Sequence, residues 1–281
     1  MVKGYTLSAA LLWTATALAQ MATPQTGALA EEGIFLRKTE EQITIDGRLD
    51  EAAWFTGRPA ENFWENFPSD SSYCAWNTEI YMTFDDHYLY IAAKCYAPGR
   101  DYVVPNLRRD YRAGGSDNIT FLLDPFLDRT NAFVFGMNPY GVMREALISN
   151  GGNSGDDWLG EWDNKWRGES AIADDHWSCE IAIPFSTLRF PDDQTSWNFN
   201  SYRFDTQSNT RSTWQRIPQN QIIMSLAYMG NMHWEEAPRA GRNTISLIPY
   251  VSAAAQRDFE EGTPGERDFG IGGDEIGRAH V

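Results

Sequence analysis

Period-two alternation, repeated in many short runs, is what most limits the folds open to this chain. In TEIYMTF (78–84) Ile80, Met82 and Phe84 share one side, while Glu79, Tyr81 and Thr83 take the other. DDHY then turns the chain, and LYIAAKC returns with Leu89, Ile91, Ala93 and Cys95 in phase, which predicts a β-hairpin. NITFLLD (118–124) alternates Ile119, Phe121 and Leu123; DPFLDRT turns it back into NAFVFGMN (131–138), and NPYG leads into VMREALI. WSCEIAIP (177–184) and WNFNSYRFD (197–205) alternate again, with a single helical turn expected in FSTLRFP between them. No stretch carries a long apolar stripe of period 3.6, and the helices expected are short, such as Leu49–Phe55. Many short strands separated by turns define an all-β class and an antiparallel β-sandwich.

The 281 residues suffice for one large domain or two modest ones. A formal net charge of −16 argues against nucleic acid and anionic membrane surfaces as partners, because both demand an excess of Lys and Arg. Residues 1–19 read as an export signal: Lys3, an apolar run, and a small-x-small cleavage site at Ala17-Leu18-Ala19. The alternative for this segment is an N-terminal anchor. Export is expected. Three cysteines (Cys74, Cys95 and Cys179) allow at most one internal disulfide and show no zinc spacing. Cys95 and Cys179 lie in apolar strand patterns and are expected to be buried free thiols.

Residues 20–33 are Ala/Thr/Gly-rich and non-periodic, a linker, and the sandwich is expected to occupy 34–242. From Asn243 the pattern changes. A long extended segment containing Tyr250, a polar turn and a second start, FGIGGD, suit the first strands of a transmembrane barrel over 243–274. The tail EIGRAHV (275–281) is one translation of a common sequencing-adapter sequence, so the natural chain is expected to continue differently after Asp274.

ITIDGRLDEAAW, TEIYMTFDDHYLYIAAKCY, SDNITFLLDPF and WSCEIAIPFSTLRF, in that order, resemble the family 9 carbohydrate-binding modules. DPFLDRTNAFVFGMNPYGVMREAL and NTISLIPYV resemble more narrowly the exported family-9-like domains that precede an outer-membrane-type β-barrel of unknown function. The resemblance implies a jelly-roll-like sandwich that binds a polysaccharide or oligosaccharide without catalysis, with its own C-terminal membrane barrel as a further partner, in the periplasm or outer membrane of a Gram-negative-type bacterium. The rival reading is a plug-like or protein-interaction domain that serves the barrel and binds no sugar. Were an enzyme involved, it would be a glycoside hydrolase domain elsewhere in the protein: GxSxG, HExxH and P-loop motifs are all lacking here.

The adjacent carboxylates of Asp50 and Glu51 invite a catalytic reading. Asp46-Gly47, however, is a turn dipeptide ending a first strand, and the two acids fall at the start of the short helix, where they favour its N-terminus. Glycosidase carboxyls must face each other across a sugar-sized cleft, which neighbours in sequence rarely do. The pair is therefore expected to be structural, with Trp54 anchoring the turn.

Sugar-binding modules hold a pyranose ring against aromatic faces and hydrogen-bond its hydroxyls. Trp214 lies in a polar, non-alternating stretch and is a candidate stacking ring, or else closes the end of the core. Asn198, Asn200 and Tyr202 share one side of their strand, either as a ligand face or as a solvated sheet face. The resemblance adds Asn138 and Asp117, which would join Asn200, Tyr202 and Trp214 around that face. It also implies departures: Gly114-Gly115 where a stacking Trp would stand, and Thr120 and Gly136 in place of sugar-contacting Glu and Arg. Asp156, Asp157 and Asp163 in the GGNSGDDWLGEWD loop offer hard oxygen ligands for calcium, or are simply solvated.

Overall fold

The computed structural model describes Met1 and residues 33–239, 246–256 and 266–276. The expected export signal, nearly all of the linker, and residues 277–281 of the tail lie outside the described residues.

The larger sheet has the order β8 (Trp158–Leu159), β7 (Met143–Ile148), β6 (Ala132–Met137), β5 (Asn118–Asp124), β11 (Ser196–Asp205), β13 (Gly230–Trp234), β1 (Ile34–Lys38). Beyond the end of β13, β11 pairs instead with β12 (Thr210–Thr213), which pairs with β2 (Trp64–Phe67). The smaller sheet continues from β1 through β3 (Thr78–Phe84), β4 (Tyr88–Tyr96) and β10 (His176–Pro184) to β9 (Arg167–Ile172). Strand β1 belongs to both sheets, pairing with β13 through Ile34–Leu36 and with β3 through Arg37–Lys38. Both of these pairings are parallel, so the sandwich is antiparallel everywhere except along this crossing strand.

The expected alternation builds the core between the sheets. Ile119, Phe121, Leu123, Phe133, Phe135, Trp197 and Phe199 from one sheet meet Ile80, Met82, Phe84, Leu89, Ile91, Cys95, Trp177 and Cys179 from the other. Both thiols are buried and free, and burial pushes Cys95 up to about 12. Edge-on aromatic pairs run through this core, Phe84–Trp234 at 5.0 Å and Trp234–Trp197 at 4.8 Å between centroids. Each such pair contributes about 0.5–1.5 kcal/mol beyond its buried area. Arg203 crosses the gap from β11, donating to the Tyr96 carbonyl at 2.6 Å and Thr78 Oγ1 at 3.1 Å, and pairs with Asp205 at 3.3 Å.

Alternation predicts one buried face per strand, yet every residue of β5 is buried. The outer face of the larger sheet carries a second apolar layer: Leu122, Val134, Ala146, Ile148 and Tyr202 under Met224, Leu226 and Met229. The smaller sheet is likewise covered, where Ile43, Ala53 and Trp54 pack on Tyr90, Ala92 and Ala182. Residues 43–45 are thus not the expected first strand. They are an unpaired extended segment that lays Ile43 on the sheet, and the chain enters the sandwich earlier, at β1. The helix expected over 49–55 is a single 3-10 turn, Ala52–Thr56. Glu51 stands at its N-cap without capping it; its carboxylate instead accepts Thr44 N at 2.8 Å and Trp54 Nε1 at 3.1 Å.

Towards the C-terminus, β14 (Ser246–Gln256) and β15 (Glu266–Ile276) pair antiparallel in a separate two-stranded sheet, the two long extended segments expected there.

Candidate functional site

Of the expected ligand residues, Asn200, Tyr202 and Asn138 lie on the outer face of the larger sheet, and most of the set is committed to structure. Asn200 Oδ1 accepts Gln215 N at 2.9 Å, and its Nδ2 donates to the carbonyls of Gln215 and Tyr228 at 3.3 and 3.2 Å. It ties down the segment that covers this face. Tyr202 is buried within the second apolar layer, its ring against Phe204. Trp214 is half-buried and packs on Phe199 at 5.5 Å, against the main core. Asp117 is buried: one carboxylate oxygen accepts Val103 N at 2.6 Å and the Thr206 hydroxyl, the other Thr206 N at 2.9 Å. Burial raises its pKa above the usual carboxylate range. Asn138 Oδ1 closes the turn through Tyr140 N and Val142 N, both at 3.0 Å, while its Nδ2 is buried without a partner. Asn200, Tyr202 and Asn138 therefore share the expected face, but a covering layer lies over it, and Trp214 is turned into the core rather than towards a ligand.

Thr120 and Gly136, the two departures from the family pattern, fall in one row across the sheet. Tyr202 pairs with Thr120, Thr120 with Gly136, and Gly136 with Arg144 on β7. A Cβ at position 136 would stand 2.8 Å from Arg144 Cγ, so the arginine side chain fills the space that a residue at 136 would take. The guanidinium is present on this face, one strand over from where the resemblance places it.

The three loop aspartates are not gathered. Asp157 accepts the N–H groups of Asn153 and Ser154, each at 2.8 Å, and Asn150 Nδ2 at 3.2 Å. These bonds, that from Asn150 first, lower its pKa. Asp156 is exposed, and Asp163 lies 3.9 Å from Arg109. Among the described residues no group of three or more His, Cys, Asp or Glu side chains could hold a metal ion.

An open cleft of about 790 Å³ lies instead at the end of the larger sheet, where β6, β7 and β8 meet the connector after β10. Phe133, Leu147, Leu159 and Trp162 form its apolar wall, with Phe126 from the β5–β6 turn. Trp162 is half-exposed and seated against Phe133 and Phe135, centroids 5.4 and 5.9 Å away. Asn131, Ser149, Thr187 and Arg189 supply polar groups around this wall, and Arg189 makes no hydrogen bond or ion pair among the described residues. Asp128 is the one carboxylate in the lining, and its Oδ1 accepts Thr130 N at 2.7 Å. A volume of this size, an aromatic platform and a few convergent polar groups are what a sugar or other small-molecule site requires. The sequence signal for it was two aromatics, Phe126 and Trp162, placed in polar turns rather than in alternating strands.

No protein-family model and no curated protein matches the chain. Among solved structures, it is similar to a family 9 carbohydrate-binding module from Caldicellulosiruptor kristjanssonii in complex with cellotriose. The TM-score is 0.52 at 14% identity, over 74% of this chain and 95% of that one. A second such structure, in complex with glucose, gives 0.51 at 14% over 73% and 96%. A candidate carbohydrate-binding protein from Bacteroides uniformis gives 0.55 at 12% over 72% and 99%. The agreement spans nearly the whole of each neighbour, and the chain has the β-sandwich fold of the family 9 carbohydrate-binding modules.

Proposed function

We propose that this domain is a non-catalytic carbohydrate-binding module that holds a segment of an oligosaccharide or polysaccharide in the cleft walled by Trp162. The observation that carries the reading is the cleft itself: an aromatic ring braced from behind, beside the side-chain donors of Asn131 and Arg189, which are unpaired among the described residues. The fold neighbours crystallised with cellotriose and glucose support the ligand class. A glycosidase needs two opposed carboxyls, and the lining holds one, Asp128, already engaged by the turn. The test is a glycan array with affinity electrophoresis of the whole chain beside Trp162→Ala. Retention by at least one polysaccharide, lost in the variant, is expected; a folded parent retained by none overturns the reading.

The hairpin favours a second part of the proposal, that the chain leads into an outer-membrane barrel and is exported. Val251 faces Ile271 and Ala253 faces Phe269 across its ladder, and all four are exposed. The opposite face carries Tyr250, Ser252, Gly270 and Gly272. Eleven-residue strands, apolar on one side and small or polar on the other, match the strands of outer-membrane barrels. Localisation of the full-length gene product tests it: recovery in the outer-membrane fraction is expected, and a soluble periplasmic or cytoplasmic product rejects it.

A further inference from the structure

The loop that covers the smaller sheet leaves a cavity of about 330 Å³ open on its outer face. The floor is one row across three strands: Lys94 on β4, Ser178 on β10 and Ala171 on β9. Leu49, Phe55 and Tyr81 form its apolar side. Phe55 is 58% exposed and stands edge-on to Tyr81, centroids 5.3 Å apart, a surface ring braced by a second one. The charges set this cavity apart. Arg48, Lys94 and His176 line it and no carboxylate does, in a chain with 39 Asp and Glu against 23 Lys and Arg. The Arg48 side chain makes no hydrogen bond or ion pair among the described residues. Lys94 opposes Glu79 in the β3–β4 ladder, yet the two do not pair. Glu79 accepts the hydroxyls of Tyr81 at 3.0 Å and Tyr96 at 3.4 Å instead, and the ammonium lies 5.3 Å from the Tyr96 ring centroid. His176 is engaged at Nδ1 by Asp175, 2.6 Å away. Two permanent cations thus border one concave, partly apolar space and have no counter-charge in its lining.

We propose that this cavity is a second ligand site, which takes a sugar ring bearing an anionic group, a carboxylate or a phosphate ester. The anionic group is held by Arg48 and Lys94 through charge-assisted hydrogen bonds, and the apolar face of the ring lies against Phe55. A concave site with low-dielectric walls concentrates the field of its charges, so two cations here attract an anion more strongly than the same pair on an open surface. That the ligand is a sugar rests on the carbohydrate-binding reading above; that it is an anion rests on the cavity alone. The two sites share no residue: the cleft of Trp162 belongs to the larger sheet and the connector after β10, and this cavity to the outer face of the smaller one. Each can therefore be removed without the other.

Titration calorimetry on the whole chain tests the assignment, with glucuronate, glucose 6-phosphate, glucose, acetate and inorganic phosphate as separate probes. At least one of the two charged sugars is expected to bind roughly tenfold or more tightly than glucose and than its own bare anion, and more weakly as salt is raised. The tighter of the two identifies the anionic group. Arg48→Gln and Lys94→Gln are each expected to lose most of that preference. Neither side chain makes a hydrogen bond within the fold among the described residues, so both variants should unfold thermally like the parent. Lys165→Gln, which removes the same charge from an exposed position outside the cavity, is expected to keep the preference. Charged sugars that bind no tighter than glucose overturn the proposal. So do bare anions that bind as tightly as the charged sugars, or an equal loss in all three glutamine variants. Neutral oligosaccharides bound through Trp162, with no preference for charged sugars, reject this site and leave the cleft reading standing. Charged sugars bound through Arg48 and Lys94, by a chain that no neutral polysaccharide retains, reject the cleft reading and leave this site.

Discussion

Trp54 donates its indole N–H to Glu180 at 3.0 Å, joining the loop before β2 to strand β10 of the smaller sheet, which is paired on both sides. The other oxygen of Glu180 accepts Asp46 N at 3.0 Å and Gly47 N at 2.9 Å. Gly47 has φ +85°, and a Cβ there would stand 2.5 Å from the Ser170 carbonyl carbon, so the turn can sit this close only as glycine. The Asp-Gly turn and the tryptophan thus dock one loop on one buried carboxylate, while Glu51 holds the same indole N–H from within the loop. Trp54→Ala, which empties a site 1% exposed, is expected to cost about 3–5 kcal/mol in urea unfolding. Trp54→Phe keeps most of the volume, loses the hydrogen bond, and should cost about 1–3 kcal/mol. Equal losses for the two variants would contradict this division. Asp50→Asn should leave stability and binding unchanged.

Glu180 makes stability depend on pH. Burial pushes its carboxyl up to about 7, against the hydrogen bonds from Asp46 and Gly47, while the nearby Glu51 and Asp46 charges push the same way as burial. In the unfolded chain a glutamate titrates near ~4.3. Between those values the native state binds more protons than the unfolded state, so stability falls as pH rises across the window. This contribution is fully present below the unfolded value and lost above about 7. Urea midpoints between pH 4.5 and 7.5 should therefore decline in the parent, and Glu180→Gln should flatten the slope. An identical slope in parent and variant would place the dependence elsewhere, with Glu145, also raised by burial, next.

The sandwich was legible because each core strand obeys the period of the pleat: the pairing of Thr78–Phe84 with Leu89–Cys95 could be read residue by residue. Strands β2, β9, β12 and β13 were not legible, being short and carrying Gly, Ser or charge where alternation would have to show. Alternation put Asn198, Asn200 and Tyr202 on one side of their strand, but that side is neither a solvated face nor an open ligand face: all three are buried. Sequence could not show that Met224, Leu226 and Met229 cover it, because that layer comes from an irregular segment. Arg144 was hidden for a similar reason: only the register of β6 on β7 reveals that it stands over Gly136.

Calcium should leave the fold indifferent. Asp157, the most enclosed of the three loop aspartates, is saturated by Asn150, Asn153 and Ser154, and Asp163 lies beside Arg109. Thermal unfolding in excess EDTA and in excess calcium is expected to coincide. A calcium-dependent rise that Asp157→Asn removes would restore this loop as a metal site.

Arg203 should be the most sensitive polar position in the core. It is 2% exposed, bonds carbonyls of the opposite sheet and pairs with Asp205, itself 3% exposed. Removing one partner of a buried pair leaves the other charge uncompensated, at a cost of about 3–5 kcal/mol. Arg203→Met is expected to lose that much in denaturant unfolding. Replacing Asp205 in the same chain should restore part of the loss, and additive losses in this double-mutant cycle would show that the pair is not coupled.

The residues around the cleft and those under the covering layer should separate binding from stability. Trp162 is half-exposed on a bed of Phe133 and Phe135, so Trp162→Ala should weaken oligosaccharide binding by roughly tenfold or more through the lost aromatic contact, with little change in thermal unfolding. Asn200→Ala removes the partner of Gln215 and Tyr228 backbone groups and should destabilise by about 1–3 kcal/mol while binding persists in whatever fraction remains folded. Trp214→Ala should behave like Asn200→Ala, since its ring packs on Phe199 and Gly230 lies directly beneath it. Calorimetry and thermal unfolding of the three variants together are decisive. Weakened binding at unchanged stability for Trp214 or Asn200, with Trp162→Ala indistinguishable from the parent, would move the sugar site from the cleft to the outer face of the larger sheet.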